Sequence, residues 1–434
     1  MYNESMNICV LSGSPKGKDS VTFQTVLYLE KKFPQDHFET LHVGKHLRQY
    51  EQDFSSAAES LSKADLILFC YPVYTFIVPS QLHRFVELIF ENKVDLKGKF
   101  AAQITTSKHF YDTTAHQFIA DNCKDIGLSY AGGLSADMED LLSKKGQKQA
   151  VEFWNLVHYR AEKPSWDTEN SGAHKDYSVC IVTDLLPEDT ALSSLIDSFK
   201  SAFPGTSKVV NLREIRIDGG CLGCFNCALS GKCLYKDGFD EFLRKEIQTC
   251  SSIVYAFSIK NHSMGSLFKK YDDRQFCNGH RTVTMGMPMA YLVNGDLEKE
   301  PNLLTIIEGR AQVGGNFLAG IAGSSEEAKS LANDLVYALD NKIDQPSNFL
   351  GVGGMKIFRD LIWVMGGLME ADYAFYKKHG FFDFPQKQWK RKIGMKLVGK
   401  LVNSPSVKKK MGNAMTEGML RPYKKIMEET SPEK

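Results

Sequence analysis

The sequence predicts two doubly wound, parallel-sheet α/β domains in tandem, followed by a helical C-terminal extension. Three observations carry this expectation. Over the first 160 residues, short β-branched runs alternate with helical patterns, which implies a parallel sheet with helices on both faces. That alternation then repeats, and a chain of 434 residues is too long for one ordinary core. The expected boundaries are 1–165, 176–345 and 346–434.

In the first copy, strands are expected at 7–11 (NICVL), 38–43, 66–70 (LILFC), 100–106 (FAAQITT) and 129–135. Helices are expected near 20–33, 53–63, 79–91, 113–126 and 143–158. In the second copy SVCIV (178–182) reads like the first strand, and 207–212, 252–257, 289–294 and 316–322 follow, with a last helix at about 326–343. Register makes the repeat concrete. Leu41 matches Leu212 or Asn211 at an offset of about 170, whereas Leu66 matches Ile253 at 187. The second copy therefore carries roughly 17 extra residues between its second and third strands.

Composition excludes several classes. The chain is 43% hydrophobic and 24% charged, with no low-complexity tract. Its start, MYNESMNICVLSGSP, has only the short apolar run Ile8 to Leu11 and no basic leader, so it is not read as a secretory signal. The apolar LIWVMGGLM (361–369) falls far short of the roughly 20 residues that span a bilayer. A cytoplasmic location is expected, where clustered cysteines are more often metal ligands or redox groups than disulfides. Lys and Arg total 53 against 52 Asp and Glu, yet Gln386 to Lys434 alone holds 13 against 4, leaving a net −8 on the rest. An acidic body argues against a general nucleic-acid binder.

The first strand runs into SGSPKGKDSVT (12–22) and then a helix. A strand, a tight turn, hydroxyls and a helix N-terminus make an anion site, with Ser12, Ser14, Ser20 and Thr22 as donors and Lys16 or Lys18 adding charge. Neither G-x-G-x-x-G nor GK[ST] is present. The plainer reading is a Ser-capped helix after a turn. The third strand ends in CYPVYTFIVPSQLHRFVELI (70–89), where Pro72 and Pro79 exclude helix and Tyr71, Tyr74 and Phe76 are expected at the carboxyl edge of the sheet. TTSKHFYDTTAH (105–116) adds Thr106, Ser107, His109 and Tyr111 to that edge. Taken alone, His109 reads as a surface or core histidine. A flat, phosphate-bearing ligand such as FMN suits the whole set.

The GSPK-x3-S-x-T turn and the YPVY…P…L…F segment resemble the NAD(P)H-dependent FMN reductases of the flavodoxin-like superfamily, over about the first 160 residues. The resemblance implies that Ser14 to Thr22 hold the FMN phosphate, and that Pro72, Val73 and Tyr74 border the isoalloxazine. It implies a nicotinamide partner and an acceptor that is a quinone, a nitro or azo compound, or a protein. Dimers of such proteins place the flavin near the partner subunit; here the second copy would supply that partner covalently, and a homodimer stays compatible.

The second copy lacks these features. Its first loop reads TDLLPEDT (183–190), with Asp184 near where a phosphate would sit, and its third reads SIKNHSMG (258–265). It carries instead CLGCFNCALSGKC, in which Cys221, Cys224, Cys227 and Cys233 have C-x2-C-x2-C-x5-C spacing. That spacing resembles ferredoxins and the iron–sulfur flavoproteins, implying a [4Fe–4S] cluster. This chain departs from the latter by separating the flavin loop from the cysteines. Zinc, a disulfide or redox dithiol, and merely buried cysteines remain open at this point. Cys277 reads as structural, and Cys9, Cys70, Cys123, Cys180 and Cys250 as small hydrophobes.

In the tail, Trp389, Ile393, Leu397 and Leu401 recur every fourth residue beside Lys392, Lys396 and Lys400. Such a basic amphipathic helix suits a membrane surface or an acidic partner, but docking on this protein's own acidic body is favoured. The expected function is an NAD(P)H-dependent flavin oxidoreductase passing electrons between FMN and a [4Fe–4S] cluster. The alternatives are a cluster-free FMN-dependent quinone or nitro reductase with a structural zinc, and a non-enzymatic electron carrier or redox sensor.

Overall fold

The structure, a computed structural model, describes residues 5–162, 175–402 and 414–433. Its first sheet is built from β1 (Asn7–Ser12), α1 (Val21–Lys32), β2 (His37–Leu41), α2 (Val43–Gln52), α3 (Ser55–Lys63), β3 (Leu66–Pro72), α4 (Ser80–Glu91), β4 (Phe100–Ser107), α5 (Asp112–Ile126), β5 (Ser129–Asp137) and α6 (Lys144–Ala161). All pairings are parallel, in the order β2-β1-β3-β4-β5, which is the flavodoxin-like order. Because side chains alternate along a strand, Ile8 and Val10 of β1 enter one core with α1 and α6, while Cys9 and Leu11 enter the other with α3, α4 and α5. The helix expected at 53–63 is preceded by a separate one, α2. Only Val43 of α2 is buried and the helix kinks at His46, so it leaves little apolar periodicity to read.

The second sheet follows from β6 (Ser178–Thr183), α7 (Thr190–Ala202), β7 (Thr206–Asn211), α8 (Asn226–Ser230), α9 (Phe239–Phe242), β8 (Ser252–Ser258), α10 (Ser266–Arg274), β9 (Met289–Asn294), α11 (Pro301–Gly314), β10 (Leu318–Ala322) and α12 (Ser325–Asn341). Its order, β7-β6-β8-β9-β10, repeats that of the first. Asn7 corresponds to Ser178, His37 to Thr206 and Leu66 to Ser252, so the offset rises from 169 at the second strand to 186 at the third and the insertion between them is 17 residues, as expected. The cysteine run lies inside it. Among the described residues, four helices follow: α13 (Phe349–Val364), α14 (Glu370–Lys378), α15 (Trp389–Val402) and α16 (Ala414–Glu429).

Two compact units result, one comprising Met1–Lys163, Pro346–Phe349 and Phe384–Lys434, the other Pro164–Gln345 and Leu350–Asp383. In the first, α16 buries Leu420 and Tyr423 against the α1/α6 core. α15 behaves differently from the expectation. Trp389, Ile393 and Leu397 are 58%, 52% and 58% exposed, and the side chain of Leu401 lies outside the described residues. An ion pair from Arg391 to Glu139 ties it to the first unit. No helix among the described residues is long and apolar enough to cross a membrane.

Candidate functional site

At the carboxyl edge of the first sheet, the loops after β1, β3, β4 and β5 surround a cavity of about 510 Å3. Nine of the twelve predicted flavin contacts line it: Ser14, Lys16, Ser20, Thr22, Pro72, Val73, Tyr74, Thr106 and Ser107. The hydroxyl end lies at the start of α1. Ser20 stands at the N-cap, yet its side chain makes no capping bond, so the plain Ser-cap reading does not describe this helix. Thr22 and Thr106 join through their hydroxyls at 2.6 Å, linking the first and fourth loops. Ser12, at the end of β1, is fully buried and its Oγ has no hydrogen-bond partner.

The aromatic end comes from the third loop. Thr75 and Phe76 both have positive φ (47° and 75°), closing a tight reversal in which Tyr74 and Ile77 exchange backbone hydrogen bonds of 2.9 and 3.2 Å. Non-glycine residues in that region are strained, and the cost is met by surrounding contacts. Phe76 packs on Phe110 and Tyr111 at 5.3 and 4.8 Å between centroids.

Four expected residues do not line the cavity: Ser12, Tyr71, His109 and Tyr111. Tyr71, expected at the edge, is wholly buried: its hydroxyl donates to Gln103 Oε1 (2.6 Å) and the Ala115 carbonyl (3.0 Å). Successive side chains alternate across a strand, and this one falls on the core face. His109 does not line the cavity. It is buried, with Nδ1 2.9 Å from Asp112 Oδ2. Burial disfavours the Asp112 carboxylate, but hydrogen bonds from His109, Ser135 and the Phe349 N–H outweigh it and hold the group below its usual range. Tyr111 stacks on Phe349 at 4.5 Å and 21° and likewise leaves the cavity wall.

Other lining residues escaped the sequence reading, among them Val21, Lys108, Phe110, Met138 and Met419. Met419 comes from α16, and no local pattern could announce so distant a neighbour. Gly44 was missed too. A Cβ there would fall 2.3 Å from the Ser14 carbonyl carbon, so glycine alone lets α2 approach the first loop. The pairing of Gly44 with a serine thirty residues earlier leaves no sequence signal.

The second unit closes the corresponding edge with its own charges. Asp189 caps α7, accepting from the Leu192 N–H at 3.2 Å, from Ser258 Oγ at 2.5 Å and from Asn294 at 3.4 Å. Asp184, buried, is held by Lys260 at 3.5 Å and Arg213 at 4.0 Å. Two carboxylates thus stand where the first unit offers hydroxyls and open N–H groups.

Cys221, Cys224, Cys227 and Cys233 line one shallow basin with Tyr235, Arg274, Phe276 and Cys277. Cys221 and Cys224 are exposed, the other two are partly buried, and all four are free thiols. Their loop is tight: Gly223, Phe225 and Gly231 have φ of 62°, 59° and 75°, and the Gly223 N–H points at Cys221 Sγ (3.4 Å). A buried ion pair anchors it. Arg274 meets Asp237 at 2.7 and 2.9 Å, donates to the Gly219 carbonyl at 3.1 Å and covers the Tyr235 ring at 4.2 Å. Arg274 holds the Asp237 carboxyl far below its usual range. Burial, then the Asp372 carboxylate, raises the Cys227 thiol, and burial pushes Cys277 up to about 12. Among the described residues, no three His, Cys, Asp or Glu side chains stand together as metal ligands.

The geometry defines a flavodoxin-like α/β protein, and comparison agrees. Residues 6–120 match the family described as flavodoxin-like fold. A relative described as an iron–sulfur flavoprotein, from Archaeoglobus fulgidus, is 25% identical over 174 residues, covering 37% of this chain and 79% of that protein. Among solved structures, an FMN-dependent NADH-azoreductase from Bacillus anthracis is 14% identical with a TM-score of 0.27, covering 36% of this chain and 97% of its own. An NAD(P)H:quinone oxidoreductase from Methanothermobacter marburgensis is 13% identical with a TM-score of 0.27, covering 36% and 93%.

Proposed function

We propose that the protein is an NAD(P)H-dependent flavin oxidoreductase that holds FMN in its first unit and a [4Fe–4S] cluster on the cysteine loop of its second. The observation that carries this reading is the cavity at the first sheet's carboxyl edge, polar at the α1 end and aromatic at the other. FMN fits that donor set: the Ser14, Ser20 and Thr22 hydroxyls line the cavity at an α1 N-terminus that has no side-chain cap, the arrangement that receives a phosphate. When bound, FMN supplies hydride acceptance from a nicotinamide and release of electrons one at a time, and a cluster supplies one-electron storage.

The residues of the chain supply binding and order. Ser14, Ser20 and Thr22 hydroxyls hold the phosphate, Lys16 offsets its charge, and the α1 dipole adds to both. Pro72 to Tyr74 set the position of the ring, while Phe76 and Phe110 keep water from it. His109 and Asp112 position the fourth loop without touching the ligand. In the second unit four sulfur donors share one glycine-rich loop, a donor set that suits an iron–sulfur cluster, and Cys221 and Cys224 are exposed. The relative from Archaeoglobus fulgidus supports this assignment by its description. The same four thiols are also a zinc donor set, which defines the rival, a cluster-free FMN-dependent quinone or nitro reductase with zinc at the loop.

Changing each of the four cysteines to Ser separates the two. The proposal expects every variant to keep its flavin and its bleaching by NAD(P)H, to lose iron, and to transfer more slowly to a one-electron acceptor. Variants that transfer like the unmodified protein, or that lose zinc instead, support the rival. Ser14→Ala with Thr22→Ala should release FMN, since each charge-assisted bond contributes about 1.5–3 kcal/mol.

A further inference from the structure

The second unit contains a cavity of about 490 Å3 that neither the cysteine basin nor the flavin site accounts for. Gln248, Met289 and Asn316, at or just before the amino ends of β8, β9 and β10, stand in its wall, so it does not open at the sheet edge used by the first unit. The rings of Tyr255, Tyr291, Phe276, Phe358 and Tyr376 make the wall aromatic.

Its charge is one-sided. His280, Arg281 and Arg310 line the cavity, and no Asp or Glu does among the described residues. The carboxylates that hold these side chains are outside the lining: Asp372 meets Arg281 Nη1 at 2.6 Å and His280 Nδ1 at 2.8 Å, and Asp272 meets Arg310 Nη2 at 2.6 Å. Two hydroxyls in the wall, on Thr282 and Tyr376, have no hydrogen-bond partner, and the Tyr376 side chain is wholly buried. Buried hydroxyls are rarely left so.

Gly309 adds an independent sign. It sits inside α11 next to Arg310, and a Cβ there would meet nothing within 4 Å. Neither packing nor backbone conformation requires glycine at this position, although glycine weakens a helix interior. The missing side chain leaves room in the cavity wall.

We propose that this cavity binds a planar aromatic anion, its ring between the tyrosine and phenylalanine side chains, its charged oxygen at Arg310 and Arg281, and a second oxygen at the Tyr376 hydroxyl. The assignment does not rest on the flavin or cluster reading. Phe276 also lines the cysteine basin, so an occupant sits beside that loop.

The test is calorimetric titration of the full-length holoprotein with 3-hydroxy-2-naphthoate and with neutral 2-naphthol. The anion is expected to bind about tenfold or more tightly than the naphthol, in keeping with charge-assisted hydrogen bonds. Gly309→Leu, which fills the space, should abolish that binding with helix content unchanged. Tyr376→Phe keeps the packing and should weaken it about fivefold, as for one neutral hydrogen bond; it decides the matter if Gly309→Leu does not fold. Absence of binding, equal affinity for the naphthol, or anion affinity unchanged in these variants overturns the proposal.

Discussion

Gly44 shows how much of the flavin site depends on single atoms. Gly44→Ala forces a Cβ against the Ser14 carbonyl and must displace the first loop. We expect FMN affinity to fall about tenfold or more, as for loss of one charge-assisted hydrogen bond, by fluorescence titration, with secondary structure intact. His116 gives a pH signature. Burial lowers its pKa from 6.5 to about 4, and its Nε2 is 2.8 Å from Thr105 Oγ1. The unfolded chain therefore binds a proton that the native chain refuses. This stability is complete above about pH 6.5 and is lost progressively as pH falls to about 4, on the order of 3 kcal/mol. Urea unfolding of the first unit between pH 7 and 4 should show that slope, and His116→Gln should flatten it. At this scale the sequence disclosed what chemistry marks. Hydroxyls in a turn and prolines beside tyrosines are unusual enough to stand out, and Ser14, Thr22 and Tyr74 do line one cavity. It misplaced Tyr71, His109 and Tyr111 because side-chain direction depends on the pleat and on left-handed φ values of 59° and 56° at the latter two.

At the scale of elements, strands were legible to within two residues at most ends, since buried parallel strands are continuous apolar runs. α2 was not, having one buried residue. The tail illustrates the remaining limit. A four-residue spacing of Trp389, Ile393 and Leu397 states that a stripe exists, not what covers it; the helix that docks is α16. Leu420, 5% exposed, packs there against the first core. Leu420→Ala should cost about 2–5 kcal/mol by loss of buried methyl groups and the cavity left. Because Met419 on the same helix lines the flavin cavity, the variant should also bind FMN more weakly. Unchanged stability by urea unfolding would mean that α16 does not dock as described.

For the molecule as a whole, one topology appears twice with opposite electrostatics at the same edge. The first unit leaves a helix N-terminus open beside hydroxyls, and the second closes its own with Asp189 and holds Asp184 nearby. The proposed function therefore has a phosphate accepted once per chain, while the 17-residue insertion gives the second unit its thiols. The repeat was visible in the sequence through a single jump in register. The closed edge was visible only as lost serines, because the partners of Asp189 come from Ser258 and Asn294, far along the chain. The most direct test of the account is flavin, iron and sulfide analysis of protein purified without oxygen. The account predicts one FMN with about four irons and about four sulfides per chain, the composition of one cubane cluster. Two flavins per chain, or one flavin with a single zinc and no iron, would contradict it.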